Sequence, residues 1–221
     1  MLLDQIVSPD VPTATKGDSL EYINSLFFAS QLQQLAIVDA DKYLGLIDAK
    51  DIAQYLQDPE LFAEGAPFTD FRPSININAH PFEALRVMYH HDLCTLPVVN
   101  EEQEYCGALT KDGLLKYLIE HINIDVNGGI IVLSIAARNY SLAEIARICE
   151  NEQVLILGVQ AKANPDTGTI EVTIKTNSID LSAVVQAFER YEYHVVDTYG
   201  DQKIENNISD RYRLLMNYIN M

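Results

Sequence analysis

Apolar positions fall at helical spacing at Leu20, Ile23, Leu26 and Phe27, behind a polar lead, Lys16-Gly17-Asp18, in which Asp18 or Ser19 can cap the helix. A short apolar run at 35–38, a polar turn, Asp39-Ala40-Asp41-Lys42, and a second run at 43–47 predict a β-hairpin. A further helix begins near Asp48 and carries Ile52, Tyr55 and Leu56. The series then recurs about 60 residues on. Its second lead is Ser74-Ile75-Asn76-Ile77, followed by Pro81 at a helix start, with Phe82, Leu85, Val87 and Met88 on the buried side. Strands at 96–99 and 105–109 form the second hairpin. Leu35-Ala36-Ile37-Val38-Asp39 and Gly45-Leu46-Ile47-Asp48 thus stand against Leu96-Pro97-Val98-Val99-Asn100 and Gly107-Ala108-Leu109-Thr110. Two copies of one half-open unit bury each other's apolar faces, and the cleft between them is the natural ligand site.

Beyond Glu120 the pattern changes. A polar linker at 121–127 and Gly128-Gly129 lead to an apolar strand at 130–137. Ser141, with Glu144 three residues on, forms a capping box for a helix carrying Leu142, Ile145, Ala146 and Ile148. Strands at 154–161 and 169–176 flank the turn Asn164-Pro165-Asp166-Thr167-Gly168. A helix capped by Asp180 or Ser182 carries Leu181, Val184, Val185 and Phe188, and residues 194–199 close the series. The order strand, helix, strand, strand, helix, strand is the ferredoxin-like one. After a polar stretch, Tyr212, Leu215, Met216, Tyr218 and Ile219 give an amphipathic tail helix at 201–221, suited to docking on its own domain or a dimer mate.

Hydrophobic residues make up 48% of the chain, enough for two or three modest cores, so disorder is not the expectation. Fifteen Lys and Arg against 32 Asp and Glu leave a formal charge of −17, which repels nucleic-acid phosphates and anionic membranes. Cys94, Cys106 and Cys149 form neither a disulfide framework nor a zinc knuckle. With no signal-like N-terminus and no run of about 20 apolar residues, the expected compartment is the cytoplasm. The acidic stretch Asn100-Glu101-Glu102-Gln103-Glu104 reads as a solvated hairpin tip, and His90 and Cys94, four apart, supply too few ligands for a metal.

The doubled order of lead, helix, strand, strand and helix resembles the CBS-domain pair over residues 1 to about 120. The resemblance implies a pseudo-twofold module whose clefts bind adenosine-containing ligands such as AMP, ATP or S-adenosylmethionine. Where the last strand turns into its helix, the family places a Thr or Ser that meets phosphate, and an Asp one turn later that accepts from the ribose hydroxyls. Carried over, these positions are Asp48 and Asp51 in the first copy and Thr110 and Gly113 in the second, with Thr13, Ile37, Ile75 and Val98 as further candidate ligand contacts. Neither copy has both groups. A carboxylate at Asp48 about 4 Å from a phosphate costs ~1 kcal/mol when water screens it and ~4 kcal/mol at an effective dielectric near 20, which favours a neutral or cationic adenosyl ligand, S-adenosylmethionine before ATP. Asp48 and Thr110 are also good helix N-caps, with or without a ligand.

The last third looks like an ACT domain, so the whole chain resembles CBS-CBS-ACT proteins of the acetoin-utilisation type. Where amino-acid-binding ACT domains commonly carry an Asp and a Pro-Gly, this chain has Arg138 followed by Asn139, Tyr140 and Ser141, the candidate ligand turn. The expected fold is α+β: CBS repeats at 1–62 and 63–122, an ACT-like domain at 128–200 and the tail. No catalytic motif stands out. The expectation is a non-enzymatic regulator without a cofactor, homodimeric, that senses an adenosyl ligand and relays it to the ACT domain or to a protein partner. A ligand-free interaction scaffold and an ACT-based amino-acid sensor are the alternatives.

Overall fold

The computed structural model describes residues 3–57 and 72–200, and the chain divides into two compact units, residues 1–118 and 119–221. The predicted tail helix and the boundary at 62–63 lie outside the described residues.

In the first unit, β1 (Thr13–Ala14), α1 (Leu20–Ser30), β2 (Gln34–Asp39), β3 (Lys42–Asp48), a 3-10 turn (Ala49–Asp51) and α2 (Ile52–Gln57) form one repeat. β4 (Ile75–Asn76), α3 (Pro81–His90), β5 (Thr95–Val99), β6 (Tyr105–Thr110) and α4 (Lys111–His121) form the other. Each has a three-stranded sheet, ordered β1-β2-β3 or β4-β5-β6, whose lead strand runs parallel to the first hairpin strand. The repeat holds down to the irregularities: Ala14 pairs with Ile37 as Ile75 does with Val98, and each hairpin slips register just after that pair.

Ser19 caps α1 by accepting from the Tyr22 N–H at 3.2 Å, and Leu20, Ile23 and Phe27 form its buried stripe. In α3, Pro81 takes the first position and Pro81, Ala84 and Met88 are buried. Phe82, expected inside, is 58% exposed, because one residue round the helix from Pro81 lies about 100° off that stripe. The first core gathers Ala14, Ile23, Leu35, Ile37, Ile47 and Ile52; the second gathers Leu3, Ile75, Leu96, Val98, Leu109 and Leu114. Leu3 shows that the N-terminal segment packs on the second repeat. Ser8 exchanges two backbone hydrogen bonds with Ala108 (3.0 and 3.1 Å), and a Cβ at Gly107, where φ is 138°, would lie 2.8 Å from the Ser8 carbonyl oxygen. Only glycine admits that approach.

The second unit realises the ferredoxin-like order: β7 (Ile130–Ala136), α5 (Leu142–Asn151), β8 (Ile156–Asn164), β9 (Thr169–Thr176), α6 (Ser182–Arg190) and β10 (His194–Tyr199). Its antiparallel sheet runs β10-β7-β9-β8. Alternate residues Ile131, Leu133 and Ile135 of β7 meet Ile145, Ile148 and Cys149 of α5 and Val184 and Phe188 of α6 in one core. Only half of the predicted capping box forms. Ser141 Oγ accepts from the Glu144 N–H at 3.3 Å, but the Glu144 carboxylate accepts from the Tyr193 hydroxyl at 3.1 Å and faces Arg147. Of the apolar residues that the predicted helix carries, Ile145 and Ile148 are buried and Leu142 and Ala146 are exposed. The α6 N-cap position is Leu181; Asp180 supports it by accepting from the Ser182 N–H at 3.0 Å. Gly128 needs its missing side chain, since a Cβ there would overlap the Thr176 carbonyl.

Candidate functional site

The end of β3 and the turn after it position the first candidate site. Asp48 is extended (φ −103°, ψ 140°), and its Oδ1 accepts from the Lys50 N–H at 3.0 Å, so it caps the turn. Its Oδ2 accepts from Gln34 Nε2 at 3.3 Å and lies 3.3 Å from Lys50 Nζ. That ion pair is mostly exposed on the lysine side and stabilises little, yet it holds a positive charge beside the carboxylate. Asp51 stands at the end of the same turn. Tyr55, one helical turn on, has its hydroxyl pKa raised by burial first and by the Asp51 charge second.

Asp48 and Asp51 share one cavity of about 540 Å³, also lined by Gln33, Gln34, Leu46 and Lys50 and closed by His91, Asp92 and Leu93 of the second repeat. It is a cleft between the two repeats, as the internal duplication implies. Three carboxylates against one lysine make it acidic. Among the described residues no group of His, Cys, Asp and Glu is arranged to hold a metal ion.

The other candidates lie elsewhere. Thr110 caps α4, its Oγ1 accepting from the Gly113 N–H at 3.1 Å, and neither residue lines the first cavity. Ile37, Ile75 and Val98 are buried in the two cores, and Thr13 sits in the lead strand β1 paired with Ala36. A second, more apolar cavity of about 700 Å³ lies between α3 and α4, lined by Leu85, Met88, Tyr89, Leu115 and Leu118. In the second unit, Asn139 lines a polar cavity of about 470 Å³ with Ser134, Glu144, Tyr193 and His194; Tyr140 packs against the core. Burial and the hydrogen bond to Glu144 push the Tyr193 hydroxyl up to about 12.

Gln34, Lys50, His91 and Leu93 were not legible as site residues. Gln34 and Cys94-Thr95 occupy matching places before the apolar hairpin strands of the two copies, and that correspondence was the available signal. What it could not convey is that Gln34 reaches across to the other copy, its Oε1 accepting from the Cys94 N–H at 2.8 Å and the Thr95 N–H at 3.3 Å.

Residues 3–58 and 69–120 match the CBS domain family, so the first unit carries two CBS domains in tandem. Over 108 residues, 48% of this chain and 22% of the relative, the sequence is 31% identical to inosine-5'-monophosphate dehydrogenase of Halobacterium salinarum. The chain spans less than a quarter of the length of the curated relatives it matches. Among solved structures, it is similar to a CBS domain pair/ACT domain protein of Thermotoga maritima, 22% identical over 54% of this chain and 98% of that one, with a TM-score of 0.47. It is also similar to CBSX2, solved in complex with AMP, 14% identical over 54% of this chain and 96% of that one, with a TM-score of 0.45. Among the described residues no helix is long and apolar enough to cross a membrane.

Proposed function

We propose that the CBS pair is the sensing part of a non-enzymatic regulatory protein and that its first cleft takes an adenosyl ligand. The observation that carries this reading is the meeting of Asp48 and Asp51 on one wall of a cavity between the repeats. CBS pairs are in general regulatory or signal-transducing modules. In this reading Asp51 accepts from both ribose hydroxyls, and Leu46 and Leu93 offer apolar walls to the base. A volume of about 540 Å³ lies in the range of small-molecule sites. Asp48, Asp51 and Asp92 favour a cationic substituent on the ribose, so S-adenosylmethionine suits the cleft better than AMP or ATP. The signal passes to the ACT-like unit or to a protein partner in the cytoplasm, with neither nucleic acid nor membrane involved.

The test is a thermal-shift panel of adenosine, AMP, ATP, S-adenosylmethionine and amino acids, followed by calorimetry, since a ligand of the native state raises apparent stability by mass action. The largest shift is expected with S-adenosylmethionine; a panel flat for every adenosyl compound would reject the reading in favour of a scaffold.

A second reading, amino-acid sensing by the ACT-like unit, rests on the cavity that Asn139 shares with Glu144 and Tyr193, and shifts with amino acids alone would select it. The assembly in either case is a homodimer. Phe28 and Tyr89 occupy the same position in the two repeats and are 79% and 84% exposed, a matched pair suited to an isologous contact. Light scattering should give twice the 24.8 kDa chain mass, and a monomer at micromolar concentration would remove the dimer.

A further inference from the structure

A polar side chain 7% exposed inside a repeat-to-repeat contact needs every partner it can find, because an unmatched buried amide is costly. Gln34 has three. Two backbone donors, the Cys94 and Thr95 N–H groups, converge on its Oε1, and the acceptor Asp48 Oδ2 faces its Nε2. Two donors on one side and a carboxylate on the other leave one orientation of the amide. The chain of bonds goes further. The Cys94 carbonyl accepts from the Lys111 N–H at 3.1 Å, and Lys111 is the first residue of α4, directly after Thr110. In the first repeat the Gln33 carbonyl accepts from the Ala49 N–H at 2.8 Å, the matching bond after Asp48. Both strand-to-helix corners are therefore pinned to the residue just before their hairpin, Gln33 or Cys94, and Gln34 joins the first repeat to the second. Thr95, in the place that Gln34 holds in the first copy, is too short to return the bond, and its buried hydroxyl has no partner among the described residues.

We propose that Gln34 is the positioning residue of the first cleft: it aims the Asp48 carboxylate and ties it, through the Cys94 and Thr95 amides, to the start of α4 in the second repeat. Occupancy of the first cleft is thereby felt at the start of α4. The consequence for sensing rests on the adenosyl reading above; the tie itself does not.

Amide hydrogen exchange of the full chain, followed by NMR without ligand, tests the tie. The hydrogen bonds and ion pair of Asp48 go to Gln34 and Lys50, so a merely local cap would leave the Cys94 and Thr95 amides unchanged when it is altered. With the tie, Asp48→Ala frees one end of Gln34 and lowers protection at the Cys94 amide about tenfold, the worth of one net hydrogen bond. Asp48→Asn has one accepting oxygen where Asp48 uses two, so it keeps either the bond to Gln34 Nε2 or the cap and restores protection only in part. The Leu93 amide, bonded to the Met88 carbonyl at 2.9 Å, reports whether the repeat is intact and should not change. Equal protection at Cys94 in wild type and Asp48→Ala overturns the proposal, and so does a loss shared equally by Leu93. S-adenosylmethionine is then titrated into the wild type. Raised protection at the Cys94 and Lys111 amides on saturation supports relay from the first cleft to α4, and binding without that rise overturns the relay. Absence of binding removes S-adenosylmethionine as the ligand of the cleft, while the ligand-free exchange still decides the role of Gln34.

Discussion

At the scale of single residues, the two aspartates of the β3 corner separate cleanly in what they do. Asp48 spends both oxygens on protein partners, the Lys50 N–H, Gln34 Nε2 and the Lys50 ammonium, so it serves local structure whether or not a ligand comes. Asp51 is the better test of a ligand role. Asp51→Ala should weaken binding of any adenosyl ligand at least tenfold, from the loss of charge-assisted hydrogen bonds of about 1.5–3 kcal/mol. Stability should fall by only about 0.3–1 kcal/mol, because Asp51 supports the start of α2 chiefly through the helix dipole. Calorimetry and urea unfolding on the same variant check both halves, and unchanged affinity would end the ribose role. Thr95 makes the opposite case. Its hydroxyl is fully buried without a partner among the described residues, so Thr95→Val keeps the shape and removes an uncompensated desolvation, and should leave stability unchanged or raise it by up to about 1 kcal/mol. A loss above that size on urea unfolding would reveal a hydrogen bond to that hydroxyl in solution.

At the scale of elements, the pattern of apolar residues was enough to place every hairpin and every α-helix described but α4, which the repeat implied, because each element shows its own period within a few residues. Boundaries moved where a neighbour across the fold decided them: β8 begins at Ile156, not at 154, and runs on to Asn164 because β9 offers partners that far. Phe82 and Leu142 went outward although apolar, since period alone cannot say which edge of a helical stripe meets the sheet. Asp48 and Asp51 were legible from their place after a strand, whereas Gln34 was not, since its partners in the other repeat lie about 60 residues away in the sequence. Packing of α5 on the sheet also makes a pH prediction. Burial in the second unit's core pushes the Cys149 thiol from 9.0 up to about 11. Between those values the unfolded chain has lost a proton that the folded chain keeps, so stability is full below pH 9 and falls as pH rises to 11. Urea unfolding at pH 8.5 and 10 should show a drop in wild type that is smaller in Cys149→Ala. Tyrosines, Tyr193 among them, titrate alike in both proteins and cancel. Equal drops would mean that the thiol is not desolvated.

At the scale of the whole molecule, charge decides which ligand the first cleft can hold. The chain carries a formal −17, and the cavity itself carries Asp48, Asp51 and Asp92 against Lys50, so the lining is repulsive to phosphate. The Lys50 ammonium, 3.3 Å from Asp48, offsets part of the local repulsion and brings it towards the lower end of the ~1–4 kcal/mol Coulomb range. Replacing Asp48 with Thr removes that repulsion, retains a capping oxygen and leaves Lys50 free to meet a phosphate. Affinity for AMP should then rise at least about fivefold, affinity for neutral adenosine should hardly move, and affinity for S-adenosylmethionine should fall. Salt gives the same answer by another route. Raising ionic strength from 0.01 to 0.15 M shortens the screening length from about 30 to 8 Å, which weakens S-adenosylmethionine, strengthens ATP and leaves adenosine unchanged in the wild type. Titration calorimetry of the four ligands at both salt concentrations decides the matter. If AMP and adenosine gain equally in Asp48→Thr, that carboxylate does not face the ribose substituent, and the acidic wall serves the fold of the corner alone.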